Sequence, residues 1–278
     1  MPVRLVESKQ NSRLKELRRA LASPGNGARG LAGIEGGKIL EEALRAGLRV
    51  ATVFVAQGAE ELLDALHVAP GTEILCLPRK LLDSALATET PQPIAALVEP
   101  PHWSWKHLLN QSQKRTPLLV VLAGLQDPGN LGTILRSAEA FGATGVVSLP
   151  GTVNAWNPKA VRASAGSVFR VPLLAASERE CFTHFREAGV KILAATVRAA
   201  QPAGLVDMAG PVALLIGNEG SGVAEDLAVK TDGKITIPCP GPVESLNAAV
   251  AASVLLYEAS RQRSALNGGP SDHRGARR

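Results

Sequence analysis

Past residue 117 the chain is paced by apolar runs with no polar face. They are "LLVVLAGL" (118–125), "GVVSLP" (145–150), "VKILAATV" (190–197), "VALLIGN" (212–218) and "KITIP" (234–238). A strand that is apolar at every position must be covered on both faces, which is the habit of parallel sheets rather than of half-wet antiparallel ones. Helical patterns fall between the runs, over "GTILRSAEAFG" (132–142), near 158–166, and from Ser245 to about Arg261. The alternation predicts an α/β domain built on a mostly parallel sheet with helices on both sides.

The same rhythm runs through the first hundred residues on a smaller scale. "EGGKILEEALRAG" (35–47) reads as a helix with Ile39, Leu40, Ala43 and Leu44 on its apolar side, and "VATVFVAQG" (50–58) as a buried strand. "AEELLDALHVA" and "RKLLDSALAT" read as helices, "EILCLP" and "IAALVEP" as strands, which together make a small α/β sandwich. The proline-rich, polar stretch "VEPPHWSWKHLLNQSQKRTP" (98–117) separates the two halves. The expected organisation is an N-terminal domain over 1–105, a linker at 106–116, a larger domain over 117–263 and a disordered basic tail over 264–278.

Charge is concentrated at the ends. Residues 1–38 carry eight Lys/Arg against three acids, and residues 261–278 five Arg against one acid. With a net charge of +5, that leaves an acidic middle. Basic ends on such a body suit phosphate contacts and hence nucleic acid, although solubilising tails look the same. No apolar run approaches the roughly 18–20 residues of a membrane helix, and the start "MPVRLVESKQNSR" has no secretory hydrophobic block. Cys76, Cys181 and Cys239 form no CxxC pair. They read as reduced thiols of a cytoplasmic protein.

Familiar phosphate and metal signatures are missing. "GNGARG" (25–30) has the spacing of a dinucleotide loop, but no strand precedes it and no helix face follows. It reads instead as a flexible basic loop. His67, His102, His107, His184 and His273 show no ligand spacing, and no metal site is expected.

Three other stretches sit at strand ends, where open α/β sheets bind ligands. "LQDPGNLGTILRSAEAFGA" (125–143) turns at Asp127–Asn130, with Asn130 or a neighbour expected to cap the next helix, and puts Arg136 and Glu139 on one helix face. "LLIGNEGSGV" (214–223) runs a buried strand into three glycines around a single charge, Glu219. "IPCPGPVESLNAAVAAS" (237–253) launches an apolar helix from Glu244, Ser245 and Asn247, which is more polar groups than capping needs.

In this order and at these strand ends, the three stretches closely resemble the motifs of the SpoU (TrmH-type) branch of the SPOUT RNA methyltransferases, D-P-x-N-x-G…R…E, G-N-E-G-x-G and I-P…E-S-L-N. The similarity covers roughly 115–262. "EGGKILEEALRAGLRVATVFVAQG" resembles the small substrate-binding domain of many members, which favours ribosomal RNA over tRNA. The resemblance implies a deep trefoil knot in the parallel-sheet domain, a topology that sequence pattern alone would have excluded. It also implies S-adenosylmethionine as cofactor, methyl transfer to a ribose 2′-hydroxyl, and a homodimer formed through the catalytic domain.

Carried onto this sequence, the resemblance implies catalytic roles for Asn130, Arg136, Glu219, Ser245 and Asn247. It implies cofactor contacts, mostly by backbone, at Leu215, Gly217, Asn218, Gly220, Ile237, Pro238 and Leu246. "KAVRASAGSVFRVP" (159–172) also matches a family stretch, implying RNA contacts at Lys159, Arg162 and Ser164. Arg136 is either the general base or a phosphate anchor. The readings left open beside this one are a tRNA 2′-O-methyltransferase and a non-catalytic RNA-binding or ribosome-assembly protein on the same scaffold. A dinucleotide enzyme would need GxGxxG after its first strand, where this chain has "DPGN".

Overall fold

Two packed units account for the chain in a computed structural model, which describes residues 3–23, 30–86, 88–109, 115–197 and 200–266. One unit is Met1–His102 with Pro128–Arg136 and Val153–Arg170; the other is Trp103–Asp127, Ser137–Thr152 and Val171–Arg278. Two stretches of the 117–263 region thus pack with the first unit. Most of "GNGARG", residues 110–114 of the expected linker and the tail from 267 onward lie outside the described residues. No helix among the described residues is long and apolar enough to cross a membrane.

The first unit is built from β1 (Val3–Leu5), α1 (Ser12–Ala22), β2 (Ala32–Glu35), α2 (Gly37–Arg45), β3 (Val50–Ala56), β4 (Glu73–Leu77), α3 (Arg79–Asp83) and β5 (Ile94–Val98). The sheet order is β1-β4-β3-β5-β2, with β2 and β5 antiparallel to each other and β1, β3 and β4 parallel. Asn11 caps α1 by accepting from the amides of Arg13 and Leu14 at 2.9 and 3.1 Å. Leu14, Leu17 and Leu21 recur at helical spacing and share a core with Phe54, Leu75, Leu77 and Leu97. Helix α2 and strands β3, β4 and β5 fall where the sequence places them. "AEELLDALHVA" does not make the expected α-helix: only a 3-10 turn, Glu60–Leu63, forms there, with no buried residue within the turn itself.

The second sheet has seven strands: β6 (Leu118–Leu122), β7 (Gly145–Ser148), β8 (Leu173–Ala175), β9 (Lys191–Ala195), β10 (Gln201–Pro202), β11 (Val212–Ile216) and β12 (Gly233–Thr236). Its order is β10-β12-β9-β11-β6-β7-β8 and every pairing is parallel. Every residue of β6 and β11 is buried, as uninterrupted apolar runs require. The helices that follow in the chain are α4 (Trp105–Leu108), α5 (Pro128–Ala140), α6 (Pro158–Ala163), α7 (Glu178–Glu187), α8 (Glu225–Ala228) and α9 (Ala248–Leu266). Within the second unit α7 packs on β9 and α9 on β11.

One helix stands where the sequence suggests a linker, and another has different ends. Helix α4 opens the expected linker with a Ser104–His107 capping box. Beside it, Trp105 stacks on His184 at 4.5 Å and donates to Glu180 at 3.1 Å. Leu108 is buried so close to β7 that a Cβ on Gly145 would come within 2.5 Å of it. At the other end, α9 begins at Ala248 rather than Ser245 and runs past Arg261. Arg263 fastens that end by donating to four carbonyls, those of Met208, Thr116, Pro117 and Gly210, at 2.6–3.1 Å.

Candidate active site

With all strands parallel, the C-terminal ends of the second sheet share one edge. The chain steps outward from β6 to β7 to β8, then resumes on the far side of β6, so β6 and β11 flank the point where the order reverses. At such a point successive loops diverge and leave a crevice.

The loops after β6 and β11 are tied together there. Asn218 and Gly222 exchange both backbone hydrogen bonds, at 3.0 and 2.9 Å, which folds the β11 loop back on itself. A Cβ on Gly217 would sit 2.0 Å from the Gly222 carbonyl carbon, so the closure requires glycine. The Asn218 side-chain oxygen accepts from the Gly220 amide at 2.8 Å, while its nitrogen donates to the Gly124 carbonyl at 2.8 Å. Glu219 accepts from the amides of Gln126 and Asp127, at 3.2 and 3.0 Å. Although exposed, it is therefore engaged with the β6 loop rather than idle in its turn. Thr152 draws in the β7 loop, accepting from the Gly124 amide at 3.2 Å and donating to Leu122 at 2.9 Å.

The loop after β12 runs from Ile237 to Asn247 without regular structure. Among the described residues, no backbone N–H from Cys239 to Leu246 donates to the protein. Asn247 caps α9, accepting from the amides of Ala249 and Val250 at 2.9 and 3.3 Å. Glu244 and Ser245 are exposed, and Leu246 is half-buried. The polar surplus at this helix start therefore divides into one cap, Asn247, and two residues outside the helix.

Helix α5 starts at Pro128, a residue suited to the first helical position because its missing N–H would be idle there. Asn130 is thus inside the first turn, so of the residues expected to cap the helix it is not the one, and the cap falls to a neighbour before Pro128. Ile134, Leu135 and Ala138 are buried, which turns Arg136 to solvent. Among the described residues Arg136 has no hydrogen-bond or ion-pair partner, so the shared face with Glu139 does not produce an ion pair. One residue on, the Ser137 hydroxyl bonds that of Ser253 on α9 at 2.7 Å.

On α6, Lys159 and Arg162 are exposed. Ser164 is not: it is fully buried, donating to the Val161 carbonyl at 2.8 Å and accepting from the Val168 amide at 3.5 Å. The expectation that it lines an RNA channel is corrected, because its hydroxyl closes the turn after α6. Gly132 explains the tightness here, since a Cβ on it would lie 2.5 Å from the Ala160 carbonyl oxygen.

The family model of the SpoU rRNA methylase family matches residues 117–257, and that for RNA 2′-O ribose methyltransferase substrate binding matches 34–104. The chain belongs to the SpoU rRNA methylase family. It is 31% identical over 252 residues to the Bacillus subtilis 23S rRNA (guanosine(2553)-2′-O)-methyltransferase RlmP, covering 91% of this chain and 97% of that protein. Among solved structures it resembles an AdoMet-bound rRNA methyltransferase from Sinorhizobium meliloti, with TM-score 0.79, 30% identity, and coverage of 93% of this chain and 98% of that one. It also resembles the SpoU methyltransferase AviRb from Streptomyces viridochromogenes, with TM-score 0.77, 28% identity, and coverage of 93% and 99%.

S-adenosylmethionine fits the donor set of this SpoU member. The unengaged amides of the Cys239–Leu246 loop, the half-buried Ile237 and Leu246 and the exposed Gly220 offer backbone polarity beside apolar surface, as an adenine and an amino-acid end need. Leu215 is the exception among the expected cofactor residues. Its side chain lies in the core with Leu119, Val121 and Ile192, and its backbone sits between β6 and β9. It sets the strand and does not present a side chain to a ligand. A cavity of about 550 Å³ lined by Lys191, Gln201, Asp232 and Lys234 opens toward the N-terminal ends of β9 and β12, the opposite edge from these loops. No group of three or more His, Cys, Asp or Glu among the described residues is arranged to hold a metal. The Gly124–Thr152 tie was not foreseen, because a lone threonine after a strand carries no motif.

Proposed function

We propose that the chain transfers a methyl group from S-adenosylmethionine to a ribose 2′-hydroxyl of RNA, with large-subunit ribosomal RNA as substrate. The observation that carries it is the joining of two motif loops at the sheet's reversal point, where Glu219 accepts from the amides just before α5. The names of the relatives support the same reaction. When bound, the cofactor supplies a methyl group on a sulfonium, so the protein has to align the hydroxyl behind it and remove a proton.

In this reading Asn130, Glu219, Ser245 and Asn247 orient the site, while the backbones of 217–220 and 237–246 hold the cofactor. Arg136, exposed and without a partner among the described residues, either takes the hydroxyl proton or grips a neighbouring phosphate and the developing alkoxide. A guanidinium is a poor base, since arginine keeps its proton in proteins, which favours the grip. The test replaces Arg136 with Lys and with Ala and follows tritiated methyl transfer to large-subunit rRNA against pH. Arg136→Ala should lower the rate about 100-fold or more, with stability unchanged within about 0.5 kcal/mol as for an exposed residue. A rate of Arg136→Lys that climbs with pH through the lysine titration would make Arg136 the base. Methyl found on a base nitrogen, or only on tRNA, would overturn the assignment, and a protein that does not bind the cofactor would point to the non-catalytic reading.

Four further features belong to this proposal. Residues 1–105 serve as the RNA-binding domain and 117–263 as the catalytic one. The catalytic chain is threaded as a trefoil knot, supported by the late insertion of β11 between β9 and β6. Val250, Val254 and Tyr257, exposed at helical spacing on α9, form the face of a homodimer. The setting is cytoplasmic, in keeping with three free cysteines.

A further inference from the structure

Two acids of the "EGGKILEEALR" stretch face two arginines of the 153–170 segment, all within the first unit. One pair is closed. Arg170 donates to Glu42 at 2.8 Å, and the chain beside it is pressed so near that a Cβ on Gly166 would lie 2.7 Å from the Glu42 Cβ. Ala165 and Gly166 both take left-handed backbone, φ +48° and +90°, to make that approach.

The other pair is held apart. Glu35, at the end of β2, is only 4% exposed. One of its carboxylate oxygens accepts from the Thr88 hydroxyl and the Gln92 amide, at 2.7 and 2.8 Å. The other is buried and takes no hydrogen bond among the described residues. An Arg162 Nη lies 4.0 Å from it, and the Arg162 side chain, 40% exposed, makes no hydrogen bond among the described residues. A buried carboxylate oxygen left without a hydrogen bond is costly to the fold. The closed Glu42–Arg170 pair shows that these same two segments can approach to bonding distance. A pair serving only the fold would close likewise.

We propose that Glu35 is a positioning residue for RNA capture. It holds the Arg162 guanidinium by charge at one nitrogen and leaves the other donors for a backbone phosphate. A guanidinium carries five donors in a planar fork and takes a phosphate by two of them, so one edge can be held while another binds. Lys159, exposed three residues earlier on α6, supplies a second cation to the same helix face. The inference rests on the reading of the chain as an RNA-modifying protein.

The experiment measures the affinity of the full-length protein for deproteinised large-subunit rRNA over a salt series, and KM and kcat for methyl transfer, in Glu35→Gln, Glu35→Asp, Arg162→Gln and the Gln/Gln double variant. Arg162→Gln should weaken binding about tenfold and flatten the salt slope by about one. Glu35→Gln should raise KM about three- to tenfold with kcat within about twofold, Glu35→Asp should recover part of that, and the double variant should bind no worse than Arg162→Gln alone. Equal losses from Glu35→Gln with and without Arg162, or Asp and Gln variants that behave alike, would overturn the proposal. If the Glu35 variants do not fold, an Arg162→Gln protein with wild-type affinity and salt slope overturns it just as directly. A wild-type protein that binds rRNA with this coupling but transfers no methyl group would end the catalytic reading and leave this one standing.

Discussion

Gly217 has no space for a side chain, because its own loop occupies the place a Cβ would take, 2.0 Å from Gly222. Gly217→Ala must push apart the Asn218–Gly222 pair, and with it the Asn218 and Glu219 bonds to the β6 loop. The expected cost in urea unfolding is about 1–3 kcal/mol, the range for overpacking. Calorimetric titration should show S-adenosylmethionine affinity falling about tenfold or more, which corresponds to about 1.4 kcal/mol. An alanine variant that binds like wild type would mean this loop does not touch the cofactor. Residue types at strand ends were legible because glycines, prolines and surplus polar groups are odd neighbours for buried strands. Their partners were not. Nothing in "GNEG" says that the carboxylate reaches back to Gln126 and Asp127 across some ninety positions of chain, and nothing in "RASAG" says that Ser164 is buried while Arg162, two residues earlier, is exposed.

Helix α9 is held at both ends by side chains. Asn247 caps its start, and Arg263 and Gln262 clasp its end, with Gln262 accepting from the Met208 amide at 2.8 Å and donating to the Val206 carbonyl at 3.1 Å. Burial and the nearby Arg115 push the Arg263 guanidinium below the ordinary arginine value, yet its hydrogen bonds to four carbonyls need the charged fork. Arg263→Ala should cost about 3 kcal/mol, because charge-assisted bonds are lost and carbonyls are left without a donor. Arg263→Lys should regain little of it, since an ammonium cannot span the four acceptors. Equal stability of wild type and Arg263→Ala in urea titration would show the clasp to be idle. At this scale the sequence spoke clearly for long periodic segments, such as β3, β6, β11 and α9. It failed for "AEELLDALHVA", whose apolar residues Ala59, Leu63 and Val68 pack on Val55, Ile74 and Cys76 from a 3-10 turn and irregular chain rather than from an α-helix, and for the Trp105 helix, whose prolines suggested a linker.

The exposed stripe of Val250, Val254 and Tyr257 bears on the whole molecule. Their exposures of 48, 39 and 54% are high for apolar side chains on a helix otherwise rich in buried alanine and leucine. Phe141 supports the ring of Tyr257 edge-on at 5.8 Å. Tyr257→Glu should leave the fold intact and halve the mass seen by light scattering, with loss of methyl transfer. A variant that keeps the wild-type mass would overturn the proposed dimer face on α9. Parallel architecture was readable from continuous apolar runs, whereas strand neighbours were not, since periodicity gives the order of strands along the chain and not their order across the sheet. That order carries a consequence of its own. Strand β11 lies between β6 and β9, both of which precede it in the chain, so the middle of the sheet is completed after strands on either side of it have been made. A nascent chain that has not yet released residues 212–216 from the ribosome lacks its central strand, and with it the loop that Glu219 closes. The catalytic sheet is complete only after nearly all of the chain has been synthesised, and the contacts that complete it are long-range pairings, the kind that slow folding more than local helices do.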